Sequence, residues 1–79
     1  MKQKRVQISI HTDYITLGQL LKFADVVDSG SEAKFYLATH NIVVNGELDN
    51  RRGRKLRPGD IVVIEEVTYE IISKWSFLN

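Results

Sequence analysis

Residues 41–64, NIVVNGELDNRRGRKLRPGDIVVI, decide how this chain is read. Ile42, Val43 and Val44 run into Asn45-Gly46, a dipeptide that supplies the two positive-φ positions of a type I′ hairpin turn. Glu47 and Leu48 begin the return limb. Arg51, Arg52, Arg54, Lys55 and Arg57 then place five of the chain's eleven basic residues in positions 51–57, a run that contains no acid. The run stops at Arg57-Pro58-Gly59-Asp60, where proline followed by glycine is the arrangement that a type II turn prefers. Ile61-Val62-Val63-Ile64 is β-branched throughout and reads as a buried strand. A concentrated positive loop is therefore expected between two strands that hold its ends.

Upstream, residues 5–10 (RVQISI) alternate polar and apolar, which predicts an amphipathic strand at a sheet edge. Thr16 is a helix cap with Gln19 three residues later, as in a capping box. Leu17, Leu20, Leu21 and Ala24 fall on one helical face, so the first helix is expected over about 16–25. Asp28-Ser29-Gly30-Ser31 offers several caps for a second helix of about 31–39, with Glu32 in its first turn and Ala33, Tyr36, Leu37 and His40 as its stripe. His40 or Asn41 is expected to close it in a left-handed conformation. Downstream, a strand is read over 61–67, and Val67, Tyr69 and Ile71 alternate with Thr68 and Glu70 in a last strand. Trp75, Phe77 and Leu78 form a tail that either packs back on the body or stays loose.

These elements make one domain over 1–79, of α+β class: two short helices packed on a small, mostly antiparallel sheet. Net charge is only +1, so positions 51–57 leave the remainder of the chain acidic, and the local basic patch is more informative than the total. There is no cysteine, which excludes disulfides, thiolate metal sites and cysteine nucleophiles. The polar–apolar alternation at the N-terminus is not a signal peptide, and no apolar run is long enough to span a membrane. A cytoplasmic monomer is expected.

The order helix, helix, hairpin, basic loop, strand resembles the RNA-binding domain named after ribosomal small-subunit protein four, the S-four domain, with its alpha-L motif. The resemblance is strongest to the small stand-alone bacterial members of the YaaA type. It rests on ITLGQLLKFADVVDSGSEAK, IVVNGE and RRGRKLRPGDIVV, and covers about 14–66, leaving the strand at 5–10 and the segment 67–79 outside it. The resemblance implies a module whose two helices and following loop present one basic surface to structured RNA, either ribosomal or transfer RNA, and so an association with the ribosome. Many members begin the first helix with Arg-Leu-Asp where this chain has Thr16-Leu17-Gly18, and many have Arg between the two serines where this chain has Gly30. Two phosphate contacts of the family are thus missing, which shifts the burden to residues 51–57.

The candidate RNA contacts are Arg51, Arg52, Arg54, Lys55 and Arg57 of the loop, with Ser29, Ser31 and Lys34 at the start of the second helix and Lys22 on the first. Arginine brings bidentate phosphate geometry and base stacking. The bland reading of the loop is a solvated or protein-docking face, that of the serines is capping, and that of Lys22 and Lys34 is plain surface lysine. Phe35 lies off the stripe. It is read as core packing in preference to an exposed platform for a base. His11 and His40 have no carboxylate at metal-site spacing. Glu65 and Glu66 are read as neighbours on a strand, pointing to opposite faces, and so are no catalytic pair. No enzyme activity, cofactor or metal is expected. The competing reading is a protein adaptor that uses the same surface against an acidic partner. A third is an accessory RNA-binding subunit of an RNA-modifying enzyme.

Overall fold

The computed structural model describes residues 4–75. Its elements are β1 (Lys4–Ile10), β2 (Ile15–Thr16), α1 (Leu17–Phe23), α2 (Gly30–Thr39), β3 (Ile42–Val44), β4 (Glu47–Leu48), β5 (Lys55–Leu56), β6 (Ile61–Ile64) and β7 (Val67–Ser73). Five strands form one sheet in the order β1-β7-β6-β3-β4, and β2 pairs with β5 in a separate two-stranded sheet. The α+β class and the mostly antiparallel sheet are as the sequence predicts. β1 is at an edge, also as expected, but it pairs parallel to β7, from Lys4 opposite Val67 to Ile10 opposite Ser73.

Helix α1 starts where its cap requires. The Thr16 hydroxyl accepts from the Gln19 N–H, and the Gln19 side chain accepts from the Thr16 N–H at 2.8 Å, completing the capping box. The helix ends at Phe23, two residues earlier than expected. Asp25 takes a left-handed φ of 61°, the Val26 N–H donates to the Leu21 carbonyl at 2.9 Å, and the Asp25 N–H donates to the Lys22 carbonyl at 3.0 Å. This is a Schellman closure made with aspartate in the place glycine usually takes. The left-handed closure expected at His40 or Asn41 is not found. His40 is extended, with φ −129° and ψ 150°, and its ring stacks on Tyr36 at 3.8 Å instead.

Helix α2 begins at Gly30, with Ser29 as its cap, so Ser31 lies inside the helix. Leu17, Leu20 and Leu21 of α1 and Ala33 and Leu37 of α2 join Ile42, Val44, Val62, Ile64, Tyr69 and Ile71 of the sheet in one buried core. Each large apolar side chain buried there contributes about 1.5–3 kcal/mol. β6 is buried on one face only: Val62 and Ile64 are inside, while Ile61 and Val63 are half-buried.

Phe35 was expected in the core but is 70% exposed, because its place on α2 points away from the Ala33–Leu37 stripe. Glu65 and Glu66 stand in the turn between β6 and β7, not on a strand, and Glu65 has φ 55°. Trp75 is exposed. The expectation for Phe77 and Leu78 lies outside the described residues. No helix among the described residues is long and apolar enough to cross a membrane.

Candidate nucleic-acid interface

The hairpin that launches the basic loop has the geometry its sequence asks for. Asn45 and Gly46 have φ of 51° and 87°, and Val44 faces Glu47 across the turn. The Asn45 side chain adds two bonds that the turn type alone does not require. Its Oδ1 accepts from the Ile61 N–H at 2.9 Å, and its Nδ2 donates to Asp60 Oδ1 at 3.1 Å. At the far end Gly59 has φ 100°, and the Asp60 N–H donates to the Arg57 carbonyl at 2.9 Å, as a type II turn does.

Between these turns the loop is anchored at its middle. Leu56 is fully buried, opposite Ile15 in the β2–β5 pair. A single leucine among cations carries no periodicity, which is why the sequence reads as an unpatterned loop. The backbone is also tied to α1: the Leu17 N–H donates to the Arg54 carbonyl at 2.8 Å, and the Gly18 N–H to the Arg52 carbonyl at 3.0 Å. The first N–H groups of a helix lack partners within it, and here the loop carbonyls satisfy two of them. Loop and helix thus form one body.

The five loop cations fall into three groups. Arg51 and Arg54 are engaged by Asp49. Arg51 Nε and Nη2 donate to Asp49 Oδ1 and Oδ2 at 3.0 and 2.8 Å, and Arg54 Nη1 donates to Oδ2 at 2.8 Å. Hydrogen bonding from Arg51 holds the Asp49 carboxyl well below the usual carboxylate range, against the opposing effect of burial, and Asp49 in turn raises Arg51. Lys55 and Arg57 both lie over the Tyr14 ring, with the Lys55 ammonium 5.0 Å and the Arg57 guanidinium 5.6 Å from its centroid. An open depression of about 580 Å³ is lined by Arg51, Gly53, Arg54, Lys55, Arg57 and Asp60. Arg52 points elsewhere, into a cleft shared with Lys22, Gly18, Gly30 and Ala33.

The α2 residues are less closely joined to this cluster. The Ser29 hydroxyl accepts from the Glu32 N–H at 3.2 Å, and the Glu32 carboxylate accepts from the Asp28 N–H at 2.9 Å. These bonds occupy the Ser29 hydroxyl and set an acid at the helix start. Ser31 is exposed and lines a different depression with Phe35 and Tyr36. Lys34 is exposed on the same helix and lines neither basic depression.

Sequence reasoning missed Asp49, Tyr14 and Gly18. Asp49 stands only two residues before Arg51, so the acid adjoining the cationic run was visible. Tyr14 is a lone aromatic in a polar connection, and its pairing with Lys55 and Arg57 comes only from the β2–β5 contact.

Residues 8–72 match the family model described as the S4 domain. A protein of Bacillus subtilis (strain 168), named "Probable ribosome maturation protein RlbA", is 62% identical over 58 residues, a match that covers 73% of this chain and 82% of that protein.

Proposed function

The chain belongs to the S4 domain family, and we propose that residues 1–79 act as a single, non-catalytic module that binds structured RNA in ribosome maturation. Ribosomal RNA is favoured over transfer RNA by the name of the Bacillus relative. The observation that carries the reading is the fastening of the basic loop to α1. The bonds from Leu17 and Gly18 to the Arg54 and Arg52 carbonyls, together with buried Leu56, present the cations from a rigid base. Cations held in place lose less conformational entropy on meeting a phosphate than cations on a mobile loop.

Lys55, Arg57, Arg52 and Lys22 are the principal RNA contacts in this reading. None of them makes an ion pair among the described residues. Arg51 and Arg54 contribute charge but also hold the loop together through Asp49. Ser29, Ser31 and Lys34 are secondary, because Glu32 competes with a phosphate at the start of α2. Phosphate contacts supply most of the affinity, and RNA shape supplies the preference.

Crosslinking in cells, followed by sequencing of the attached RNA, tests the reading. Enrichment of ribosomal RNA is the expected result. Attachment to an acidic protein with no RNA enrichment would replace it with the adaptor. In vitro, structured ribosomal RNA fragments should bind more tightly than single-stranded DNA of equal length at physiological salt.

A further inference from the structure

Among the five cations of the loop, Arg52 is set apart by Gly18. A Cβ built on Gly18 would lie 2.6 Å from Arg52 Cγ and 3.4 Å from both Arg52 Cδ and the Arg52 carbonyl oxygen. The aliphatic stem of Arg52 therefore lies directly on the backbone of α1, in a slot that only glycine leaves open. The Gly18 N–H also donates to the Arg52 carbonyl, so backbone and side chain of Arg52 are both set by this one residue. At the other end Arg52 Nη1 reaches the Gly30 carbonyl at 3.4 Å, and the same nitrogen is 4.0 Å from where a Gly30 Cβ would stand. One arginine thus crosses from α1 to α2 over two glycines.

We propose that Arg52, seated on Gly18, is a preset phosphate-reading arginine, and that it and Lys22 hold one phosphodiester group of the RNA backbone over the cleft between α1 and α2. This rests on the RNA-binding reading. The cleft, of about 320 Å³, is lined by both side chains, with Ala33 buried at its floor. The Gly30 carbonyl uses one Arg52 donor through a long bond, and the remaining donors of the planar fork stay available. A guanidinium held in this way offers two parallel bonds to phosphate oxygens, which an ammonium does not. Holding it before the RNA arrives lowers the ordering cost of that contact. Gly18 is then a positioning residue: it touches no RNA but decides where the fork points.

The test measures affinity for a structured ribosomal RNA fragment, and its salt dependence, in the wild type and in Arg52→Lys, Arg52→Gln and Gly18→Ala. Arg52→Lys is expected to lose roughly tenfold in affinity, as losing a charge-assisted hydrogen bond does, while its salt slope stays near that of the wild type because the charge is kept. Arg52→Gln is expected to lose affinity and flatten the slope. Gly18→Ala, with no change of charge, is expected to lose about as much as Arg52→Lys. Circular dichroism and thermal unfolding check that it is folded at the assay temperature. Wild-type affinity in Arg52→Lys, or in folded Gly18→Ala, overturns the proposal and leaves the RNA reading standing. If Gly18→Ala is unfolded, Arg52→Lys alone decides. A wild-type protein that does not prefer structured RNA removes the RNA reading itself.

Discussion

Asp49 and Arg54 meet at 2.8 Å beneath the basic loop, with the Asp49 side chain 7% and the Arg54 side chain 28% exposed. The same Asp49 oxygen lies 2.8 Å from Arg51 Nη2, whose side chain is 70% exposed. Two of the loop's cations therefore serve the fold. Asp49→Ala leaves Arg54 half-buried without its carboxylate, and should lower stability by about 2 kcal/mol. Arg54→Gln should cost about 1 kcal/mol, whereas Arg57→Gln, at an exposed site, should stay within about 0.5 kcal/mol. Thermal unfolding of the three variants checks the ranking. Equal midpoints for Arg54→Gln and Arg57→Gln would mean that the Asp49 contact does not stabilise the loop.

The same carboxylate sets an acid limit. Hydrogen bonds from Arg51 keep the Asp49 pKa depressed in the folded protein. In the unfolded chain it protonates near the ordinary aspartate value of about 3.9. As the pH drops through that range the unfolded state takes up a proton that the folded state refuses, so stability falls. The contribution is complete above the ordinary value and is lost progressively below about pH 4. Asp49→Asn removes it at every pH. Denaturant unfolding between about pH 3 and pH 7 should give a shallower acid limb in Asp49→Asn than in the wild type, and parallel limbs would contradict the depressed pKa.

Asn45 does more than adopt a positive φ. Asn45→Ala forces alanine to φ 51° and removes the bonds to the Ile61 N–H and Asp60. A loss of about 2 kcal/mol is expected. Gly46→Ala meets nothing within 4 Å, so only its φ of 87° resists, and about 1 kcal/mol is expected. Asn45→Gly relieves φ but still loses both bonds. If Asn45→Gly is as stable as the wild type, the side-chain bonds contribute nothing and the turn acts through φ alone.

Lys55 and Arg57 lie over the Tyr14 ring and make no ion pair among the described residues. Replacing both with Gln should leave the unfolding midpoint nearly unchanged, since exposed cation–π contacts contribute only about 0.5–1 kcal/mol. RNA affinity should fall alike for all sequences tested, because phosphate contacts carry no direct sequence information. The slope of log K against log salt should flatten by about 0.7–0.9 per lost contact, so by about 1.5 for the pair. A wild-type slope in the double variant would place the RNA elsewhere on the molecule.

Local signals carried much of the fold. Asn45, Gly46 and Gly59 take the positive φ that few residues accept, and Pro58 fixes the negative φ before Gly59, so composition dictates both turns, and both form as read. Thr16 with Gln19, followed by leucines at helical spacing, dictated α1 in the same way. The run of cations at 51–57 and its order after two helices marked the family. All of these are interactions between residues near in the chain, whose geometry the residue types themselves restrict.

What the tertiary structure alone decided is how the cations divide. Asp49 binds Arg51 and Arg54, Lys55 and Arg57 both lie over the Tyr14 ring, and Gly18 seats Arg52. The Tyr14 and Gly18 contacts join residues more than thirty positions apart, brought together when β2 pairs with β5 and the loop carbonyls cap α1. Charge counted along the chain is blind to them, because a cation's availability depends on its neighbours in space. The parallel pairing of β1 with β7 was equally invisible, since strand periodicity gives the buried face but not the partner or its direction.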